Sequence, residues 1–213
     1  SEQLFKKNCG TEKSKVVMSL SMFYDLPQPL NFMNEVKSIL NTDGIWVVEQ
    51  SYLPFMLKTN SYDTICHEHY EYYSLQTIKF MTDKLDLKII DVEFNEVNGG
   101  SFSLIITHKN NQYLEYENLN ELLLNENSLN DLETYESFKK KVSITRRKIN
   151  ETLLKSEPKN IDANHNLGVL KVSRNQSAEA ISLFKTAIEV DPKNTQNWFS
   201  YANALLNLKK FEE

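Results

Sequence analysis

Two copies of one short theme, Glu157-Pro158-Lys159-Asn160 and Asp191-Pro192-Lys193-Asn194, stand 34 positions apart near the end of this chain. A repeat of that period restricts the C-terminal third to stacked copies of one small unit, each covering the apolar face of the next. Leu167, Gly168, Ala180, Phe184 and Ala187 lie between the copies. Gly168 and Ala180 are small enough for two antiparallel helices to approach closely, and Phe184 fills the space between them. Pro192 ends the second helix because it has no amide proton to continue the ladder. A second unit opens with Trp198, Tyr201, Ala202 and Leu205 and reaches Glu213 unfinished. With Ser1 rather than methionine at the start, the chain is expected to be a fragment cut at both ends.

The first half has a different rhythm. Val16-Val17-Met18-Ser19-Leu20 suits a buried strand, and Pro27 and Pro29 mark a loop. Phe32, Val36, Ile39 and Leu40 fall on one stripe of an amphipathic helix. Asp43-Gly44 predicts a turn that ends it. Ile45-Trp46-Val47-Val48-Glu49 is apolar nearly throughout, as in a parallel strand covered on both faces. Ile78, Met81 and Leu85 suggest another helix, and Leu87–Val92 and Phe102–His108 two more strands. Between these strands, Asn98-Gly99-Gly100-Ser101 permits a tight turn or a close approach of backbone to a ligand. The alternation points to an α/β sheet domain.

From about Glu115 glycine nearly vanishes and helical spacing takes over. Tyr135, Phe138, Val142 and Ile149 would line one face of a helix whose other face carries Lys139, Lys140, Lys141, Arg146 and Arg147. That basic run reads either as a nucleic-acid or membrane patch or, since its flanks are acidic, as a solvated face; the second reading is adopted. A net charge of −5 argues against general nucleic-acid binding. No apolar run approaches membrane-spanning length. Cys9 and Cys66 are far apart and outside any Cys-x-x-Cys pattern, which fits a reducing cytoplasm.

The densest chemistry lies in Tyr62-Asp63-Thr64-Ile65-Cys66-His67-Glu68-His69-Tyr70-Glu71-Tyr72-Tyr73. Imidazole titrates near neutrality, and neighbouring carboxylates tune it, so this segment is equipped to move protons. The plainer reading is packing, with each polar tip hydrogen-bonded. A metal reading rests on His67 and His69, whose rings would share one side of a strand. It lacks further ligands nearby, since His108 and His165 fall in other elements, and no metal is assigned.

Met22-Phe23-Tyr24-Asp25-Leu26, Gly44 to Glu49, Tyr52-Leu53-Pro54, Asp63 to Tyr73 and Asn98 to Phe102 together resemble the sugar C-methyltransferases, from about Val16 to Leu154. The resemblance implies a partial Rossmann-like methyltransferase sheet that uses S-adenosylmethionine and acts on a nucleotide-linked keto-deoxysugar. It makes His69 the base that removes a proton beside the ketone, generating the enolate that takes the methyl group. Glu68 would orient that base or bind the sugar, and Cys66 stands where the family often has a tyrosine. His67, Tyr72, Tyr73, Gly99, Gly100 and Ser101 would shape the sugar pocket. Ser21, Met22 and Tyr24, after a strand end, would meet the cofactor. The family's glycine-rich cofactor loop is not found before Val16, so this chain alone is expected to bind the cofactor weakly or not at all and to be inactive.

The C-terminal repeat resembles the tetratricopeptide repeat, with Lys171 where that family has tyrosine in its first helix. This implies an all-α segment that docks a protein partner. The expected layout is thus a methyltransferase-like α/β domain over 1–114, a helical connector over 115–156 and tetratricopeptide repeats, one full and one truncated, over 157–213. The rival reading is a non-catalytic interaction module that carries a degenerate methyltransferase half.

Overall fold

A computed structural model describes residues 2–208, with only the backbone described for Asn98. The chain divides into two compact units, residues 1–138 and 139–213. The end of the second repeat, toward Glu213, lies outside the described residues.

The first unit contains α1 (Glu2–Cys9), β1 (Ser14–Leu20), α2 (Pro29–Ile39), β2 (Leu40–Ser51), α3 (Leu53–Thr59), α4 (Leu75–Lys84), β3 (Leu87–Asn95), β4 (Ser101–His108) and α5 (Leu119–Asn125). Its strands form one sheet in the order β1-β2-β4-β3. β1 and β2 are parallel, while β4 runs antiparallel to both β2 and β3. β1–α2–β2 is therefore a βαβ crossover, and β3–β4 is a hairpin closed by Val97–Gly100. The expected α/β class, a partial sheet followed by helices, holds, but the sheet is mixed rather than parallel.

One face of the sheet carries the core. Trp46, Val48, Ile89, Phe102, Leu104 and Ile106 are buried there beneath Phe23, Met33, Leu75 and Ile78. Each such side chain contributes roughly 1.5–3 kcal/mol by leaving water. Trp46 Nε1 donates to Ser19 Oγ at 3.0 Å, so the one polar atom of the buried indole is satisfied.

Several expectations are corrected here. Asp43-Gly44 bends the chain inside β2 rather than before it. From the pair Ser14–Leu40 to the pair Val16–Ile45, β1 advances two residues and β2 five, an enlarged bulge. A Cβ on Gly44 would lie 2.9 Å from the carbonyl oxygen of Ser14, so only glycine lets the strands close up again. Leu40 accordingly begins the strand, and α2 stops at Ile39. Coverage on both faces fails at β1, where Val16, Met18 and Leu20 are 52%, 61% and 50% exposed. α1, α3 and α5 carry no stripe long enough to have been anticipated. Among the described residues no helix is long and apolar enough to cross a membrane.

The helix α6 (Leu132–Ser156) runs across the division between the units. Its expected apolar stripe is covered only in part: Phe138 and Val142 are half-buried, Ile149 is 53% exposed, and the buried residue of the helix is Asn150. In the second unit, α7 (Ile161–Val172), α8 (Ser177–Val190) and α9 (Thr195–Asn207) follow the repeat. Asn160 caps α7 by accepting from Ala163 N, and Asn194, its counterpart one period on, caps α9 by accepting from Gln196 N and Asn197 N. Asn164 Nδ2 donates to Pro158 O, and Trp198 Nε1, also one period on, donates to Pro192 O. Ala180, Phe184 and Ala204 are fully buried. A Cβ on Gly168 would lie 2.5 Å from the Phe184 ring, which is why the expected close approach needs glycine there. Lys171 reaches across the helical hairpin to Glu179 at 2.7 Å, an ion pair in place of the missing tyrosine.

Candidate functional site

The dense segment folds as neither helix nor strand. After a 3₁₀ turn at Tyr62–Thr64, residues 65–74 form an irregular loop leading into α4. His67 and His69 therefore do not share one side. The His67 side chain is 92% exposed and that of Glu68 73%, the two lying 3.9 Å apart in solvent. His69 is turned inward, with its side chain 18% exposed.

What holds His69 comes from the stretch after β1. Phe23–Asp25 make one 3₁₀ turn anchored by the fully buried Phe23. The Tyr24 carbonyl accepts from Tyr70 N at 2.9 Å and from Glu71 N at 3.3 Å, so the loop hangs from this turn. The Tyr24 ring lies 4.2 Å from that of His69, and the Tyr72 ring 6.1 Å away. Asp25 Oδ1 lies 4.0 Å from His69 Nε2. His69, Tyr24 and Tyr72 line a small cleft with Ser51 and Met56. Because β1 and β2 are parallel and Ser51 closes β2, the cleft lies beyond the C-terminal ends of these strands, where open α/β sheets take their ligands.

Electrostatics separates the roles available. Burial, then the charge of Asp25, raises the Tyr24 phenol above its ordinary value. Burial does the same for Tyr72, whose hydroxyl donates to Thr64 O at 3.4 Å. Cys66 is half-exposed, and the charge of its thiolate would oppose ionisation of both phenols. These phenols stay protonated at neutral pH and donate hydrogen bonds. An imidazole, which ordinarily exchanges its proton near neutrality, is the group of the cleft suited to accept one. Among the described residues no set of His, Cys, Asp and Glu is arranged to hold a metal ion.

The structure thus brings together Cys66, His69, Tyr72 and Tyr24, and leaves His67 and Glu68 outside. Tyr73 belongs to the core: it is 2% exposed, packs 5.1 Å from Phe23, and burial drives its phenol far upward. Gly99 and Gly100 have φ of +80° and +121°. A Cβ on Gly100 would meet Phe55 of α3 at 2.6 Å, and one on Gly99 would meet Ser61 Oγ at 2.7 Å. Ser101 Oγ donates to Val97 O. This turn buttresses the segment leading into the loop. Ser21 is an exposed residue with φ of +50° at the end of β1, and Met22 is half-buried. An exposed hydroxyl, a thioether edge and the Tyr24 phenol thus follow one another after the end of β1.

Sequence reasoning missed Asp25, Ser51, Tyr52 and Glu126. The buried Glu126 carboxylate accepts from Leu75 N and Gln76 N at 2.7 Å each, capping α4 just after the loop, and is hydrogen-bonded to Tyr52. Asp25 sits in a motif that was noticed, but no local pattern pairs it with His69.

Comparison with known proteins bears on the same stretches. Residues 96–163 match the C-methyltransferase C-terminal domain. Residues 183–213 match the tetratricopeptide repeat. The C-methyltransferase NovU of Streptomyces niveus is 35% identical over 88 residues, which is 41% of this chain and 21% of that protein. The chain spans about a fifth of the length of this curated relative. The C-methyltransferase-like match begins at Glu96, so it takes in the Gly-Gly-Ser turn, β4, α5 and α6, and lies beyond the loop that bears His69.

Proposed function

We propose that this chain carries the base-bearing half of an S-adenosylmethionine-dependent C-methyltransferase that acts on a nucleotide-linked keto-deoxysugar. The observation that carries the reading is the placement of His69: inward-turned, its ring packed at a tilt against Tyr24, near Asp25, beyond the C-terminal ends of two parallel strands. The resemblance of Asp63–Tyr73 to the sugar C-methyltransferases and the match of residues 96–163 support the reaction class. In this reading His69 takes the proton from the carbon beside the ketone, and the electron pair left behind delocalises onto the carbonyl oxygen as an enolate. Tyr24, protonated at neutral pH, donates a hydrogen bond to a sugar oxygen, and Tyr72, its hydroxyl turned to Thr64 O, walls the pocket. Ser21, Met22 and Tyr24 hold one side of the cofactor, which supplies an electrophilic methyl group when bound. The exposed Glu68 and His67 contact the sugar at the mouth of the cleft, with Cys66 between them and the inner group. The tetratricopeptide segment docks a protein partner.

The test is solvent exchange at the sugar carbon. In D₂O, the full-length protein that bears this sequence should incorporate deuterium beside the ketone of a nucleotide-linked keto-deoxysugar. His69→Ala should slow incorporation by about 10²–10⁴-fold, the usual worth of a general base. Unchanged exchange in the variant would remove His69 from the mechanism and leave the scaffold reading in possession.

A further inference from the structure

We infer that Glu126 is a positioning residue of the candidate site: its carboxylate braces the loop that bears His69 at the point where that loop enters α4. The consequence for turnover rests on the proposed role of His69; the brace itself does not.

Glu126 is 1% exposed, and among the described residues no other Asp or Glu is buried. A carboxylate so placed needs donors in place of water, and three converge on it. Oε1 accepts from Leu75 N and Oε2 from Gln76 N, each at 2.7 Å. The Tyr52 hydroxyl donates to the same carboxylate. The first amides of a helix have no partner within it. In α4, Ser74 Oγ takes that of Thr77 at 3.2 Å, while those of Leu75 and Gln76 go to an acid from a distant part of the chain. A negative group is also favoured there by the helix dipole. Gln76 Nε2 donates back to Leu123 O at 2.9 Å, so the start of α4 and the end of α5 hold one another. Glu126 has its own footing. Leu119 is buried, Leu122 and Leu123 pack against the core, and Leu129 N donates to Glu126 O at 2.9 Å.

What is braced is the exit of the loop. Tyr73, Ser74 and Leu75 are consecutive buried residues, and Leu53 N donates to Tyr73 O at 2.9 Å. Just upstream, Tyr70 N and Glu71 N donate to Tyr24 O. The chain leaving His69 is thus pinned at Tyr24 on one side and at Leu53 and Glu126 on the other. Tyr52, the third donor to the carboxylate, lines the cleft with His69. One buried acid therefore holds both a wall of the cleft and the loop that carries the base. Glu126 lies in the stretch that matches the C-methyltransferase C-terminal domain, and His69 precedes that stretch. Through this carboxylate the matched stretch reaches the loop, acting on its position and not on the substrate.

Amide hydrogen exchange in the 213-residue chain tests the brace. Glu126→Gln keeps the shape but replaces one acceptor oxygen by an NH₂ group that faces an amide donor. Any helix cap would then lose protection at Leu75 and Gln76. The brace requires that Tyr70 and Glu71, which donate to Tyr24 and not to Glu126, lose protection with them, by about tenfold or more. The amides between β2 and β4 should keep theirs. The His69 ring resonances should move toward those of the exposed His67, with His108 and His165 unmoved. Should glutamine unfold the chain, the wild type alone decides. In native-state exchange at rising denaturant, the amides of Tyr70, Glu71, Leu75 and Gln76 should open as one cooperative unit. Protection lost at Leu75 and Gln76 alone, or separate opening of the two pairs in the wild type, would overturn the brace and leave a simple cap. In the full-length protein, Glu126→Gln should slow deuterium incorporation at the sugar carbon by about 10–10²-fold, the usual effect of misplacing a reacting group by an ångström. Coupled amides in a protein that exchanges no sugar hydrogen would reject the proposed function and keep the brace. Sugar exchange that depends on His69 but not on Glu126 would keep the function and reject Glu126 as its positioning residue.

Discussion

Neighbours in sequence proved poor guides to neighbours in the cleft. Cys66, His67, Glu68 and His69 are consecutive, yet the turn at His67-Glu68 sends those two side chains into solvent and His69 inward. Asp25, whose carboxylate comes within 4.0 Å of His69, lies 44 positions earlier, where no local pattern connects the two. Tyr73 shows the same effect: the family resemblance implies a pocket wall, and the side chain packs in the core. Its hydroxyl is buried without a hydrogen-bond partner. Removing an unsatisfied buried hydroxyl costs little. Tyr73→Phe should therefore keep stability within about 1 kcal/mol in a denaturant titration, and should leave sugar affinity unaltered. A large loss of affinity would return Tyr73 to the binding site.

Helices with strong local punctuation were legible. The 34-residue period announced the helices of the second unit, while the caps of α7 and α9 by Asn160 and Asn194 came only with the structure. β2 was legible in type but not in extent, since its bulge depends on contact with Ser14 and Thr107 rather than on its own residues. α6 was legible as a helix, whereas the burial of its apolar stripe was not. Within α7, burial against Phe184 holds His165 below its ordinary value, with Asp162 opposing only in part, and its Nε2 lies 3.0 Å from Ser200 Oγ. In the unfolded chain this ring takes its proton near pH 6.5, before the folded one does. The helical unit's contribution from this site is thus complete above that pH and is lost as the pH falls through it toward the folded value. Thermal melts from pH 7.5 down to pH 5 should show the decline, and His165→Leu should flatten that part of the curve.

The two units each contain one tryptophan, Trp46 in the sheet and Trp198 in the helices. Single-tryptophan variants therefore report on each separately. Phe184 is the fully buried centre of the second unit, and Phe184→Ala should cost it about 3–5 kcal/mol. The Trp198 transition should move to much lower denaturant while the Trp46 transition moves little. Joint movement would mean that the two cores unfold as one. The overall layout, sheet first and repeat last, was readable because the hydrophobic period changes along the chain; the sheet's uneven covering was not, since alternation records which residues are apolar and not what meets them.

That uneven covering has a practical outcome. β1 ends the sheet's strand order with Val16, Met18 and Leu20 bare. Oily side chains beside an unsealed hydrogen-bonding margin make a template onto which other polypeptides adhere. In concentrated solution this margin sets the colloidal behaviour of the chain, and a lysine at position 18 is the smallest change that would blunt it.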